Sequence, residues 1–120
     1  IIAGEIPSYK IYEDELTVAF LTIKPQTEGH TLVVPKIEVA HWDDVPEEYY
    51  VAMWKTAKHV AKFLKQKLGC ARVGVIIAGF EIPHAHIHLI PSEAMDDLDI
   101  HSSKDISWEA LGEIYEKITN

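Results

Sequence analysis

Short apolar runs of strand length, set off by turn residues, fill the first third of the chain. IPSYKIYEDELTVAFLTI reads as two short strands around the acidic turn EDE. PQTEG follows, with Pro25 and Gly29 as breakers, and HTLVVPK is a third strand. Past Pro46 the apolar period lengthens from two to helical spacing. This predicts a helix from Pro46 to Leu68, with Glu47 and Glu48 in its first turn, Lys65 and Lys67 in its last, and Gly69 as its stop. Tyr50, Trp54, Ala57, Ala61, Leu64 and Leu68 form its predicted apolar stripe, and Lys55, Lys58, Lys62 and Lys65 its wetter side. ARVGVIIAGF reads as a strand apolar on both faces, hence central in its sheet. HAHIHLIP is the next strand, closed by Pro91, and PSEAMDDLDIHSSKD is loop-like. Leu111, Ile114, Tyr115 and Ile118 mark a short helix after Ser107. The order predicts an α+β fold: a mostly antiparallel five-stranded sheet with one long and one short helix, as a single domain over residues 1–120.

Composition narrows the function more than the fold. Formal charge is 11 minus 19, or −8, which argues against non-specific binding to nucleic acid. No run of 18 apolar residues offers a membrane span. A lone cysteine, Cys70, excludes an intramolecular disulfide and a cysteine-built zinc site, and points to the cytoplasm. The chain opens IIAGE without a methionine, so further residues are expected upstream.

The chemistry concentrates in HAHIHLI. Strand side chains alternate, so Ala85, Ile87 and Leu89 share a core face while His84, His86 and His88 share the other. Same-face neighbours lie ~6.5–7 Å apart along a strand, so the three rings can surround one small ligand but cannot all bond one another directly. Imidazole offers a metal ligand, a proton carrier and a nucleophile. On the triplet alone, a metal site completed by a carboxylate such as Glu81 and a nucleophile are about equally favoured.

The stretches IIAGEIPSYKIYEDE, GHTLVVPK and EIPHAHIHLIP, in this order and spacing, resemble the histidine triad (HIT) family over residues 1–91. The resemblance implies a homodimer whose two five-stranded sheets join into one. It also implies a purine-preferring nucleotidyl hydrolase or transferase acting at the α-phosphate of nucleoside 5′-phosphoramidates or dinucleoside polyphosphates. His86 would be the nucleophile, forming a nucleotidyl-histidine intermediate, with its Nδ1–H held by a main-chain carbonyl. His84 and His88 would flank the phosphate, and His30 would support them. By the same resemblance Tyr12, Phe20, Ile23 and Leu32 would line the base pocket, Thr22 would stand where relatives place a ribose-binding aspartate, and phosphate would meet main-chain N–H groups near Phe80 and Glu81. Phe80 stands where many relatives carry glutamine. Many relatives also hold a structural zinc with a histidine where this chain has Glu38, so no metal or other cofactor is expected. Two rival readings are a metal hydrolase built on the histidine strand and a non-catalytic nucleotide-binding or scaffold protein.

Overall fold

The acidic turn builds the first hairpin. Strand β1 (Lys10–Glu13) and strand β2 (Thr17–Leu21) are antiparallel, and Asp14 between them accepts hydrogen bonds from the main-chain N–H of Leu16 at 2.9 Å and of Thr17 at 2.8 Å. A side-chain oxygen thus satisfies the donors that the tight turn leaves over. The computed structural model describes residues 9–77, 84–99 and 104–119. Strand β3 (Thr31–Pro35) pairs antiparallel with β2. Helix α1 (Glu47–Leu68) follows Pro46 and ends at Gly69, whose φ of 68° lies in the left-handed region that glycine enters freely. Strand β4 (Arg72–Ile76) and strand β5 (Ile87–Ser92) complete a sheet of order β1-β2-β3-β5-β4. Helix α2 (Trp108–Thr119) starts after Ser107, whose Oγ accepts the N–H of Ala110 at 3.1 Å. The architecture is the α+β fold that the pattern predicts.

The sheet divides the chain's side chains into two sets. Ala19, Leu21, Val33, Ala85, Ile87 and Leu89 point to the helices and meet Met53, Ala57, Val60 and Leu64 of α1 and Leu111 and Ile118 of α2. Burying each large aliphatic side chain there contributes roughly 1.5–3 kcal/mol. On the opposite face Val18, Phe20, Leu32 and Val34 form a second buried cluster.

Three details differ from the sequence reading. The helix turns Met53, Thr56, Ala57, Val60 and Leu64 to the sheet, leaving Tyr50 half-buried and Trp54 36% exposed. Apolar residues on α1 span more than one stripe, and periodicity alone does not choose which part faces inward. Thr56, a polar residue, is accepted in the core because its hydroxyl bonds that of Thr17 at 2.7 Å. Strand β4 is an edge strand of this chain, not a central one, and its Val75 is 45% exposed. An apolar strand at an uncovered edge and a strand buried between neighbours read alike in sequence. Pro91 lies inside β5, which continues to Ser92; it pairs with Val73 beyond the stretch matched to β3, where its missing N–H breaks no β3–β5 bond. Among the described residues no helix is long and apolar enough to cross a membrane.

Candidate active site

The histidines sit where β5 begins. The main-chain N–H of Ala85 donates to the carbonyl of Val39 at 2.7 Å, pinning the segment just before the ladder. From there Ala85, Ile87 and Leu89 point into the helix-side core, and His86 and His88 point to the other face. The antiparallel register sets His88 opposite Leu32 and Ile76, and Leu32 opposite Phe20. Phe20, Leu32 and His88 therefore form one cross-strand row on the histidine face.

Two rings of the triplet bond directly while the third, His84, turns elsewhere, so the three do not all bond one another, as strand spacing requires. His86 Nε2 lies 3.1 Å from His88 Nε2, and His88 Nδ1 lies 2.9 Å from His30 Nε2. The Cα separation sets only the roots of the side chains. Imidazoles leaning along the strand close the remaining gap. His30 is brought in by the turn before β3, where its main-chain N–H donates to Thr27 O at 3.2 Å.

The two ends of this chain of rings fix every tautomer between them. At one end the main-chain N–H of Gln26 donates to His30 Nδ1 at 3.0 Å. A peptide N–H can only donate, so Nδ1 of His30 is an acceptor, and in the neutral ring the proton is on Nε2. His30 then donates to His88 Nδ1, and His88 donates from Nε2 to His86 Nε2. His86 keeps its proton on Nδ1, which lies 2.6 Å from the main-chain O of His84. A carbonyl can only accept, so the far end agrees with the near one. The result is one directed series of hydrogen bonds, closed by a backbone donor and a backbone acceptor, with a lone pair on His86 Nε2.

Electrostatics favour the neutral rings this series needs. Burial, then the positive charges that His88 and His86 would carry, push His30 down to about 3. Burial, then His86, push His88 down to about 4. Both are uncharged near neutral pH.

The other candidates divide. His84 is half-buried, and its Nε2 donates to the carbonyl of Pro35 at 3.1 Å, so its ring is tied to the end of β3 rather than to His86 or His88. Its main chain, not its ring, touches His86. Thr22 is half-buried beside His30, donating its N–H to the His30 carbonyl at 3.2 Å, while its hydroxyl accepts from Lys24 N–H at 3.2 Å. Ile23 is 60% exposed in the same turn. Tyr12 is not brought to the histidine face. It pairs with Ala19, packs against the helix-side core and donates to Asp14 at 3.0 Å, with its ring 5.3 Å from that of His59. The bulge in β1 between Lys10 and Tyr12 shifts the alternation that would otherwise place it. Phe80 and Glu81 lie outside the described residues. Among the described residues no three of His, Cys, Asp and Glu are grouped to hold a metal ion, and Glu38 is exposed. Gln26 escaped the sequence reading: PQTEG carries a turn signal, and nothing in it marks one amide as the partner of a histidine.

A five-stranded antiparallel sheet under one long helix, with alternating histidines entering its fourth-ranked strand and a further histidine beside them, defines a histidine triad protein. The chain belongs to the HIT domain family, whose domain matches residues 3–95. It is 42% identical over 96 residues to an uncharacterized HIT-like protein of Methanocaldococcus jannaschii, covering 76% of this chain and 74% of that protein. It is 35% identical over 119 residues to an adenosine 5′-monophosphoramidase of Saccharomyces cerevisiae, covering 98% of this chain and 72% of the yeast protein. Among solved structures, a Hit-like protein involved in cell-cycle regulation from Bartonella henselae superposes with a TM-score of 0.85 at 30% identity, over 98% of this chain and 89% of that one.

Proposed function

We propose that this protein hydrolyses nucleoside 5′-phosphoramidates, with purine nucleosides preferred, through a nucleotidyl-histidine intermediate on His86. Family membership and the phosphoramidase relative support a nucleotide hydrolase or transferase. The observation that carries the finer reading is the lone pair left on His86 Nε2 by the directed series of rings. In the first step Nε2 attacks the α-phosphorus. A P–N bond to His86 forms as the P–N bond to the departing amine breaks, and the amine leaves with one proton taken from solvent, which the attacking water returns in the second step. His86 then carries both the phosphoryl group and its Nδ1–H, and the His84 carbonyl stabilises that positive ring. His88 loses its acceptor when the lone pair goes to phosphorus, so its Nε2–H turns to donate a hydrogen bond to a phosphate oxygen. Water then displaces His86 from phosphorus and yields the nucleoside monophosphate. Phe20 and Leu32, buried on the same face, are the apolar residues beside which this reading places the base.

The same reading includes a homodimer in the cytoplasm, joined through β4. The uncovered β4 edge and exposed Val75 support it, together with Trp54, which α1 holds away from the sheet. Intact-protein mass after brief incubation with adenosine 5′-phosphoramidate tests the central step. A gain of one adenylyl group, absent in His86→Ala, is expected. Turnover without any such adduct in rapidly quenched samples would overturn the covalent route, and nucleotide binding without turnover would favour the non-catalytic alternative.

A further inference from the structure

We infer that Gln26 is a positioning residue for the histidines, holding His30 in the one tautomer that donates to His88 and keeps the His88 ring against His86. This rests on the reading of His86 as the nucleophile. Gln26 is half-buried in the loop between β2 and β3 and uses both its backbone and its side chain. Its main-chain N–H donates to His30 Nδ1 at 3.0 Å. Its side-chain amide, oriented so that nitrogen rather than oxygen faces these acceptors, donates to the main-chain oxygens of Asp99 at 3.0 Å and Asp97 at 3.3 Å. Those carbonyls belong to the end of a short 3-10 helix, Met95–Leu98, and the residue after it. One residue therefore joins the segment that follows β5 to the first ring of the series.

The anchor it grips is itself fixed. Leu98 packs over Gly74, where a Cβ would collide with it. Gly74 pairs with Ile90, which lies on the histidine face of β5, so the 3-10 helix is held down on that face. Two more bonds tie the same segments: Thr27 Oγ1 donates to Pro91 O at 2.7 Å, and Lys104 N–H to Pro25 O at 3.0 Å.

Loosening Gln26 would be felt at His86 because the rings are coupled. Water at His30 Nδ1, unlike a peptide N–H, can accept as well as donate. His30 could then carry its proton on Nδ1 and present a lone pair at Nε2. That lone pair would face the lone pair on His88 Nδ1, and His88 would lose the partner that holds its ring against His86, whose own proton stays on Nδ1 against the His84 carbonyl. A misplaced donor at His30 thus displaces His88 from beside the nucleophile without touching substrate.

Two variants separate this from a packing role. Gln26→Ala keeps the N–H and removes the amide, and Gln26→Glu keeps the size but cannot donate to carbonyls. Imidazole ¹⁵N spectra of wild type should show His30 wholly as the Nε2–H tautomer, and both variants a mixture. With adenosine 5′-phosphoramidate, kcat should fall about 10- to 100-fold, as for a displaced rather than deleted catalytic group, with KM nearly unchanged. The inference is overturned if wild-type His30 is not the Nε2–H form, if both variants keep that form, or if they lose it with kcat intact. Because the spectra need no turnover, a wild type that never forms the adenylyl adduct would sink the proposed function while leaving the tautomer result readable.

Discussion

The Nε2 atoms of His86 and His88 lie 3.1 Å apart, and only one of them can hold the proton between them. The main-chain contacts at either end of the series give it to His88. The two residues should therefore fail differently. His86→Ala should lower kcat by more than about 10³-fold, as expected when the nucleophile itself is lost, with far-ultraviolet circular dichroism unchanged. His88→Ala should cost about 10- to 10³-fold, the range for proton transfer and supporting hydrogen bonds. A His86→Ala protein retaining a tenth of wild-type kcat would refute the assignment.

Acid should destabilise the protein well above the carboxylate range. His30 and His88 titrate at about 3 and about 4 in the folded chain, below the ordinary histidine value of 6.5. As pH falls below 6.5 the unfolded chain takes up protons that the folded one refuses, so stability is lost on the way down and levels off near pH 3–4. Each fully buried histidine would give about 1.4 kcal/mol per pH unit, and half-buried His88 less. Urea midpoints at pH 7, 6 and 5 read this directly, and His30→Gln should flatten the slope. Equal midpoints at pH 7 and 5 would contradict the burial argument.

The β4 edge should govern assembly. Val75 pairs with Leu89, so it lies on the helix side of the sheet, yet it stays 45% exposed. A lysine there guards an edge against strand pairing. Wild type should sediment as a dimer at micromolar concentration and Val75→Lys as a monomer. A wild type that sediments only as a monomer would remove the β4 proposal.

Thr22 bears on sugar selectivity. The family pattern implies an aspartate here that accepts from ribose hydroxyls, whereas the Thr22 hydroxyl already accepts the Lys24 N–H at 3.2 Å. Adenosine and 2′-deoxyadenosine phosphoramidates should differ by less than about tenfold in kcat/KM, the ratio that ~1.4 kcal/mol gives. Thr22→Asp should widen the gap with kcat little changed. A wild-type preference above about a hundredfold would assign sugar reading to another residue.

The fold was legible because its signals are local. The Asp14 turn, the α1 boundaries at Pro46 and Gly69, and the Ala85/Ile87/Leu89 alternation each depend on a few adjacent residues. What stayed hidden depends on residues far apart. The Gln26–His30 and His30–His88 bonds and the tie of His84 to Pro35 follow from how loops close, which spacing does not encode. Tyr12 was misplaced for a smaller reason, a bulge that changes parity within a four-residue strand.

A series of rings bounded by a peptide N–H and a peptide carbonyl has a single resting polarity. A free imidazole in water exchanges between two neutral forms, so some fraction of such molecules always waits with the wrong nitrogen protonated. Here the protein backbone abolishes that waiting fraction. On the proposed route, each cycle on His86 starts from that protonation microstate and ends by restoring it.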